Sequence, residues 1–195
     1  MSSSFKDIEN FREDLTFSET INQQAFKFNT TWGLFSPRNL DEGSRLLLEN
    51  LSMNADDHCL DVGCGYGPLG LYMAKNTSNS VVMVDKDFVA IDYSKKNAKL
   101  NKLDNCDIFL SNGFNQIPPQ TFSLIVSNLP AKVGNEMLSL YMIDAYNYLA
   151  PGGRFYVVTI TGMRKFIQRS FNDIFGNYKK VKQGKTYTVA MTVKS

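Results

Sequence analysis

From about residue 58 onward the chain alternates short unbroken apolar runs with longer stretches of helical period. The runs are His58–Gly63, Val81–Val84, Cys106–Leu110, Phe122–Val126, Arg154–Ile160, Tyr178–Val181 and Thr186–Val193. Each is too short for a helix face, and most end in a glycine, an acid or a polar turn, as buried strands do. Between them lie helical segments at Pro68–Lys75, from Asp85 through about Asn101 (apolar at Val89, Ile91, Tyr93 and Ala98), at residues 134–149 and at Thr161–Phe175. Strands separated by helices predict an α/β fold with a mostly parallel seven-stranded sheet covered by helices on both faces. Gln183–Lys185 is too short for a crossover, so the last strand is expected to run antiparallel to its predecessor.

The first third reads differently. Residues 1–20 scatter Phe5, Phe11 and Phe17 among acids with no clear period, which predicts a frayed arm or a short docking helix. Aromatic and β-branched residues over 24–36 surround Gly33 and predict a small hairpin turning there. From Asp41 the pattern becomes helical, with Leu46, Leu47, Leu48 and Leu51 on one side and Asp41 or Ser44 as cap. The expected organisation is an arm over residues 1–24, a hairpin and helix over 25–57, and a core over 58–193.

Composition adds exclusions. Three cysteines, Cys59, Cys64 and Cys106, are odd in number and form no C-x-x-C pair, which argues against a disulfide scaffold or a zinc ribbon and for a reducing, cytoplasmic setting without a metal. Met1–Asp7 lacks the basic and apolar regions of a secretory signal, and no apolar run approaches the roughly 20 residues of a membrane span. The net charge of +2 conceals a gradient: 5 Lys/Arg against 10 Asp/Glu over residues 1–57, 7 against 8 over 58–150, and 9 against 1 over 151–195. Such a basic C-terminal quarter is either a docking surface for a polyanion such as RNA or a solvated face that balances the acidic start.

The densest chemistry lies in Leu60–Gly70, where Gly63, Gly65 and Gly67 alternate between a strand and a helix. Glycines so spaced let backbone approach a ligand, and the helix start adds free N–H groups. Gly65, Gly67 and Gly70 also satisfy the dinucleotide pattern G-x-G-x-x-G, a weak signal by itself. Asp61, two residues before the first glycine, would repel a pyrophosphate but can orient the loop and reach an ammonium-bearing ligand through water. Asp85 closes the next strand, where an acid accepts ribose hydroxyls. The 110 residues beyond it complete the same sheet and leave no separate domain for hydride transfer, which places a dehydrogenase far behind.

This loop resembles that of the class I S-adenosylmethionine-dependent methyltransferases, acid-x-Gly-x-Gly-x-Gly, with a Rossmann-like fold. The resemblance implies that Asp61, Gly63, Gly65 and Gly67 serve the cofactor, that Asp85 holds its ribose with Lys86 near the adenine edge, and that Asn112 and Gly113 after the third core strand lie against the adenine. Phe28, Trp32–Ser36 and Leu40–Leu48 extend the likeness to the small-domain methyltransferase family, which includes bacterial ribosomal RNA guanine-N2 methyltransferases and single-domain archaeal relatives. By that likeness Gly33–Ser36 forms a lid over the cofactor; a hairpin sealing the sheet edge is the alternative.

The fourth core strand ends in Asn128, Leu129 and Pro130, which resemble the Asn-Pro-Pro-aromatic motif of N-methyltransferases. The Asn128 side-chain carbonyl and the Leu129 backbone carbonyl can each accept one N–H of a planar amino group. Leu129 stands for the first proline of that motif and Ala131 for its stacking aromatic, so a ring from Phe114, Trp32 or Phe35 would have to substitute. The expected activity is methyl transfer from S-adenosylmethionine to guanine N2 of ribosomal RNA. The alternatives are transfer to protein glutamine or a small amine, or a non-catalytic cofactor-binding RNA module. Arg164, Lys165, Arg169, Lys179, Lys180, Lys182 and Lys185 would then hold RNA phosphates from free rRNA or a ribosomal subunit. His58 and Cys64 read as structural, and Tyr66 either covers the cofactor or packs.

Overall fold

The computed structural model describes residues 13–130 and 133–195; Phe5, Phe11, Ala131 and Lys132 lie outside them. In chain order the elements are β1 (Leu15–Ile21), β2 (Gln24–Thr30), α1 (Glu42–Glu49), β3 (Cys59–Val62), α2 (Pro68–Asn76), β4 (Val81–Asp85), α3 (Phe88–Leu100), β5 (Cys106–Leu110), β6 (Phe122–Asn128), α4 (Asn135–Tyr148), β7 (Leu149–Ile160), α5 (Arg164–Phe175), β8 (Lys179–Gln183) and β9 (Tyr187–Val193). Strands β3 to β9 form one sheet in the order β5-β4-β3-β6-β7-β9-β8. β9 runs antiparallel to both neighbours and the other pairs are parallel, so the expected seven-stranded sheet with its reversed last strand is present.

The central strands are buried on both faces, and their period of two divides the interior into two cores. Cys59, Val81, Met83, Leu124, Val126 and Val158 meet α1, α2, α3 and the β1–β2 hairpin. Leu60, Val62, Val82, Val84, Ile125 and Val157 meet α4 and α5. The strand order reverses between β3 and β6, and a cleft opens there at the carboxyl ends of the strands, the usual ligand position in such sheets. A partly buried pair closes the opposite end: Arg154 donates to Asp57, which also accepts from the Asn54 N–H and the Ser123 hydroxyl. Burial pushes the Asp57 carboxyl up, but these three donors outweigh it and hold it below the usual carboxylate range.

Two expectations for the first third are corrected. The hairpin spans residues 15–30, not 24–36, so a strand replaces the end of the predicted arm. Its turn is Asn22-Gln23, both at positive φ (46° and 67°), the geometry that matches strand twist in a two-residue loop. The alternation of β1 is masked in the sequence because Glu19 occupies an inward position, where it pairs with Arg45 of α1 at 2.6 Å. Strand β7 also begins five residues early, at Leu149, since Gly152 and Gly153 still exchange hydrogen bonds with Lys194.

The hairpin lies on α3 through two asparagines one turn apart. Asn97 accepts from the Asn29 N–H at 2.7 Å and donates to its carbonyl; Asn101 does the same for Lys27. These side chains satisfy the open edge of β2 as a neighbouring strand would. The hairpin therefore packs on a helix and does not seal the edge of the large sheet.

Candidate active site

The cleft is a cavity of about 800 Å³, within the ~300–1,000 Å³ of small-molecule sites. Of the residues expected at the site, Gly63, Gly65, Asp85, Lys86, Asn112, Gly113, Asn128, Leu129 and Pro130 all line it.

The glycines divide by task. Gly63 and Gly65 have φ of 78° and 57°, and a Cβ on Gly65 would project into open space, so these two bare the backbone toward the cavity. Gly67 faces inward instead. Its absent Cβ would lie 3.1 Å from Met83 and Ser94, and that of Gly70 would lie 2.6 Å from Met83, so both serve the close seating of α2 on β4. Gly67 is thereby placed in packing and not on the cavity wall where it was expected.

Asp61 also stands behind the wall. It is fully buried, its Oδ2 accepts the Gly70 N–H at 2.8 Å, and its Oδ1 has no partner among the described residues. Burial raises its carboxyl to about 7; the Gly70 bond lowers it and the Asp85 charge raises it further. An orphaned buried carboxylate oxygen beneath a glycine loop fits a cationic group bound above it, directly or through water. Asp85 does hold the loop: Oδ2 accepts from Gly65 N–H at 2.9 Å and Oδ1 from Asp87 N–H at 3.0 Å. Each oxygen keeps a further lone pair and Asp85 lines the cavity, a pair of acceptors suited to a vicinal diol. Across the cleft Tyr141 of α4 packs edge-on to Phe114, and a Cβ on Gly113 would lie 3.2 Å from its ring. Burial, with Asp85 and Asp61 nearby, pushes the Tyr141 phenol up, so it stays protonated.

The acceptor side is built from elements far apart in the chain. Asn128 ends β6 beside Val158 of β7, and the Leu129 N–H donates to the Val158 carbonyl at 3.0 Å, which seats the turn before Pro130. The Asn128 amide donates to Asp41 Oδ2 at 2.9 Å and to Ser44 Oγ at 3.0 Å. Both of its N–H bonds are thus consumed, and only its carbonyl remains for a ligand. Sequence reading gave Asp41 and Ser44 only capping roles; Tyr187, whose hydroxyl donates to Asp41 Oδ1 at 3.2 Å, and Tyr141 carried no local signal at all.

The segment between β2 and α1 closes one side of the mouth. Gly33, Leu34 and Phe35 line the cavity, with Gly33 at φ 98° and Ser36 at φ 48°. Of the three rings considered for the acceptor, Phe114 is buried against Tyr141 and Tyr148, and Trp32 lies outside the lining with Arg38 over its face. Phe35 lines the cavity and is 64% exposed. Tyr66 packs edge-on to Phe17 and Phe28 while its other side forms cavity wall. His58 packs at a tilt against Phe122 and bonds the Thr121 carbonyl, and burial raises the Cys64 thiol well above its usual value, which disfavours the thiolate.

The basic side chains do not form one patch. Arg164 and Lys165 begin α5, and Lys182 and Lys185 flank the β8–β9 turn, at the same end of the sheet as Tyr187 and Ile160 of the cavity wall. Lys179 begins β8 opposite Met191, toward the other end, and Arg169 pairs with Asp173. Among the described residues no helix is long and apolar enough to cross a membrane, and no three His, Cys, Asp or Glu gather as metal ligands.

Comparison with known proteins gives the family and the fold. The chain is 32% identical over 146 residues, 73% of each protein, to the protein YbxB of Bacillus subtilis. Its structure superposes with a TM-score of 0.86 and 26% identity on the Thermus thermophilus 16S rRNA N2 G1207 methyltransferase in complex with AdoMet and guanosine, covering 93% of this chain. It spans about half (51%) of that longer protein. A methyltransferase from Pyrococcus furiosus shares the fold, with a TM-score of 0.68 and 22% identity over 84% of this chain and 90% of its own. The family model for the methyltransferase small domain matches residues 25–191, and the chain belongs to that family.

Proposed function

We propose that this protein methylates an exocyclic amino nitrogen with S-adenosylmethionine as donor, and that the amino group is N2 of a guanine in ribosomal RNA. The observation that carries the reading is the Asn128 carbonyl, left free by Asp41 and Ser44 at the cavity that Gly63, Gly65 and Asp85 line. Support for the base comes from the Thermus thermophilus relative, an rRNA guanine-N2 methyltransferase crystallised with guanosine.

When bound, the cofactor supplies a sulfonium methyl group. The chain's part is to place an amino nitrogen in line with it. Asn128 accepts one N–H and the Leu129 backbone carbonyl the other, which turns the nitrogen lone pair out of conjugation. With the donor held against Gly63, Gly65 and Asp85, the amino nitrogen would take the methyl group as the methyl's bond to sulfur breaks with its electron pair left on sulfur, and one amino proton would pass to water. Positioning supplies most of the rate, and no covalent enzyme intermediate is needed. Phe35, exposed at the cavity, would stack on the acceptor base, a contact of roughly 1–3 kcal/mol. Lys182, Lys185, Arg164 and Lys165, at the cavity end of the sheet, would neutralise phosphates flanking an unpaired or flipped base.

Incubation with methyl-labelled S-adenosylmethionine and, separately, undermethylated ribosomal RNA, ribosomal subunits and total protein tests this. Label is expected in RNA as N2-methylguanine. Label in protein alone would replace the substrate with a glutamine carboxamide, whose planar amino group the same carbonyls can hold. Cofactor binding without label anywhere would point to a non-catalytic module.

A further inference from the structure

We infer that Asp41 is a positioning residue for transfer: its carboxylate fixes which way the Asn128 amide faces and polarises the carbonyl turned to the acceptor. The inference rests on the amino-acceptor reading above but not on the acceptor being RNA.

Asp41 precedes α1 as its cap, and its Oδ2 accepts the Ser44 N–H at 2.9 Å. Capping explains that contact and nothing more, because Ser, Thr or Asn caps as well. Two further donors converge on the same carboxylate from 87 and 146 residues away, the Asn128 amide at 2.9 Å and the Tyr187 hydroxyl at 3.2 Å. Gly43 makes room for this: a Cβ there would lie 2.9 Å from both Asp41 Oδ2 and the Tyr187 ring. Three elements, α1, the end of β6 and the start of β9, are therefore tied together at the cavity wall through one side chain.

The chemistry of the tie decides the polarity of the site. An amide can present either its N–H pair or its carbonyl to the cavity. A carboxylate accepts and never donates, so the reversed amide would set its oxygen against Asp41 and its N–H pair against an incoming amino group. With Asp41 in place only the forward orientation is satisfied, and the cavity reads hydrogen-bond donors at this point. The negative charge behind the N–H pair also draws electron density toward the Asn128 carbonyl, as successive hydrogen bonds polarise one another. Positive charge grows on the amino nitrogen as the methyl arrives, so a more basic Oδ1 holds that N–H more strongly in the transition state than before it.

Three proteins test this: wild type, Asp41→Ser, which keeps a cap but is too short to reach Asn128, and Asp41→Asn, which keeps an acceptor at the Oδ2 position without the charge. The first measurement needs no activity: the Asn128 side-chain amide protons, followed by NMR, should be protected from solvent exchange in wild type and Asp41→Asn and exposed in Asp41→Ser. On whichever acceptor takes label, single-turnover transfer should fall about 100-fold in Asp41→Ser and about 3- to 10-fold in Asp41→Asn, with cofactor affinity within twofold of wild type in both. Wild-type transfer by Asp41→Ser, or equal loss of protection and rate in the two variants, would overturn the inference and leave Asp41 as a helix cap. Failure of wild type to label any acceptor would instead overturn the proposed function, while the amide protection still reports on the tie.

Discussion

The two ends of the cleft are made of different material. The glycine-loop end is mostly backbone, drawn from one stretch between β3 and α2 and held by Asp85 through the Gly65 N–H at 2.9 Å. The Asn128 end is mostly side chain, assembled from α1 and its cap, β6 and β9 by Asp41, Ser44 and Tyr187, with the Leu129 carbonyl as its one backbone group. A backbone cradle suits a ligand that never changes, because its shape follows from glycine φ values and a strand-to-helix turn. A side-chain bracket suits the variable partner, since one substitution alters what it reads without disturbing the sheet.

If that division is real, the two ends should fail separately, and this is the largest effect expected. Asp85→Ala removes the acceptors for a ribose and also releases the Gly65 and Asp87 N–H groups, so cofactor affinity should drop by about 100-fold. Asn128→Ala should leave cofactor affinity within twofold and lower transfer by about 100- to 1,000-fold, since it removes an interaction that matters only once an acceptor is present. Calorimetric titration of the cofactor beside single-turnover transfer reads both. Comparable loss of cofactor binding in both variants would merge the two ends into one site.

The same contrast explains what the sequence discloses. The glycine loop was legible because Asp61, Gly63, Gly65 and, after one helix, Asp85 lie in consecutive elements, and period and spacing alone place them. Even there a one-dimensional pattern does not separate Gly65, which bares backbone, from Gly67, whose missing side chain is replaced by Met83. Asn128 was legible as the end of a strand. Its partners were not, because Asp41 and Tyr187 meet it only when β9 returns antiparallel beside β7, and a capping aspartate looks alike with or without a second duty. The β1–β2 hairpin was misplaced for a similar reason: Glu19 breaks the alternation of β1, and its pairing with Arg45 is a tertiary fact.

A middle-sized effect distinguishes how the cofactor end works electrostatically. The Asp61 carboxyl titrates near 7 in the folded chain against about 4 in an unfolded one, so the folded state holds the proton more tightly and ionisation lowers stability as pH rises between those values. A cationic amino group above the loop favours the ionised form and recovers part of that loss. Cofactor affinity should therefore rise about five-fold from pH 6 to pH 7, the change in ionised fraction across a group with that pKa. Asp61→Asn should flatten the profile and bind more weakly at pH 7. A flat wild-type profile would mean that Asp61 only seats α2 through the Gly70 N–H.

The smallest effect concerns the rim and divides the basic quarter in two. Lys182 and Lys185 flank the β8–β9 turn at the cavity end of the sheet, whereas Lys179 begins β8 at the far end; all three are exposed. A lysine that neutralises a phosphate releases a counterion, so each such contact contributes roughly one unit to the slope of log affinity against log salt, and its loss weakens binding without changing sequence preference. Lys182→Gln with Lys185→Gln should lower affinity for ribosomal RNA several-fold and reduce that slope by about 2. Lys179→Gln should leave both near wild type. Equal slopes in all of these proteins would return the hairpin to a solvated face whose charge balances the acidic first third, and would leave RNA, if it is the substrate, held by Phe35 and the cleft alone. Equal losses at both ends would mean that charge acts through the field of the whole face, with no phosphate fixed beside the Asn128 bracket.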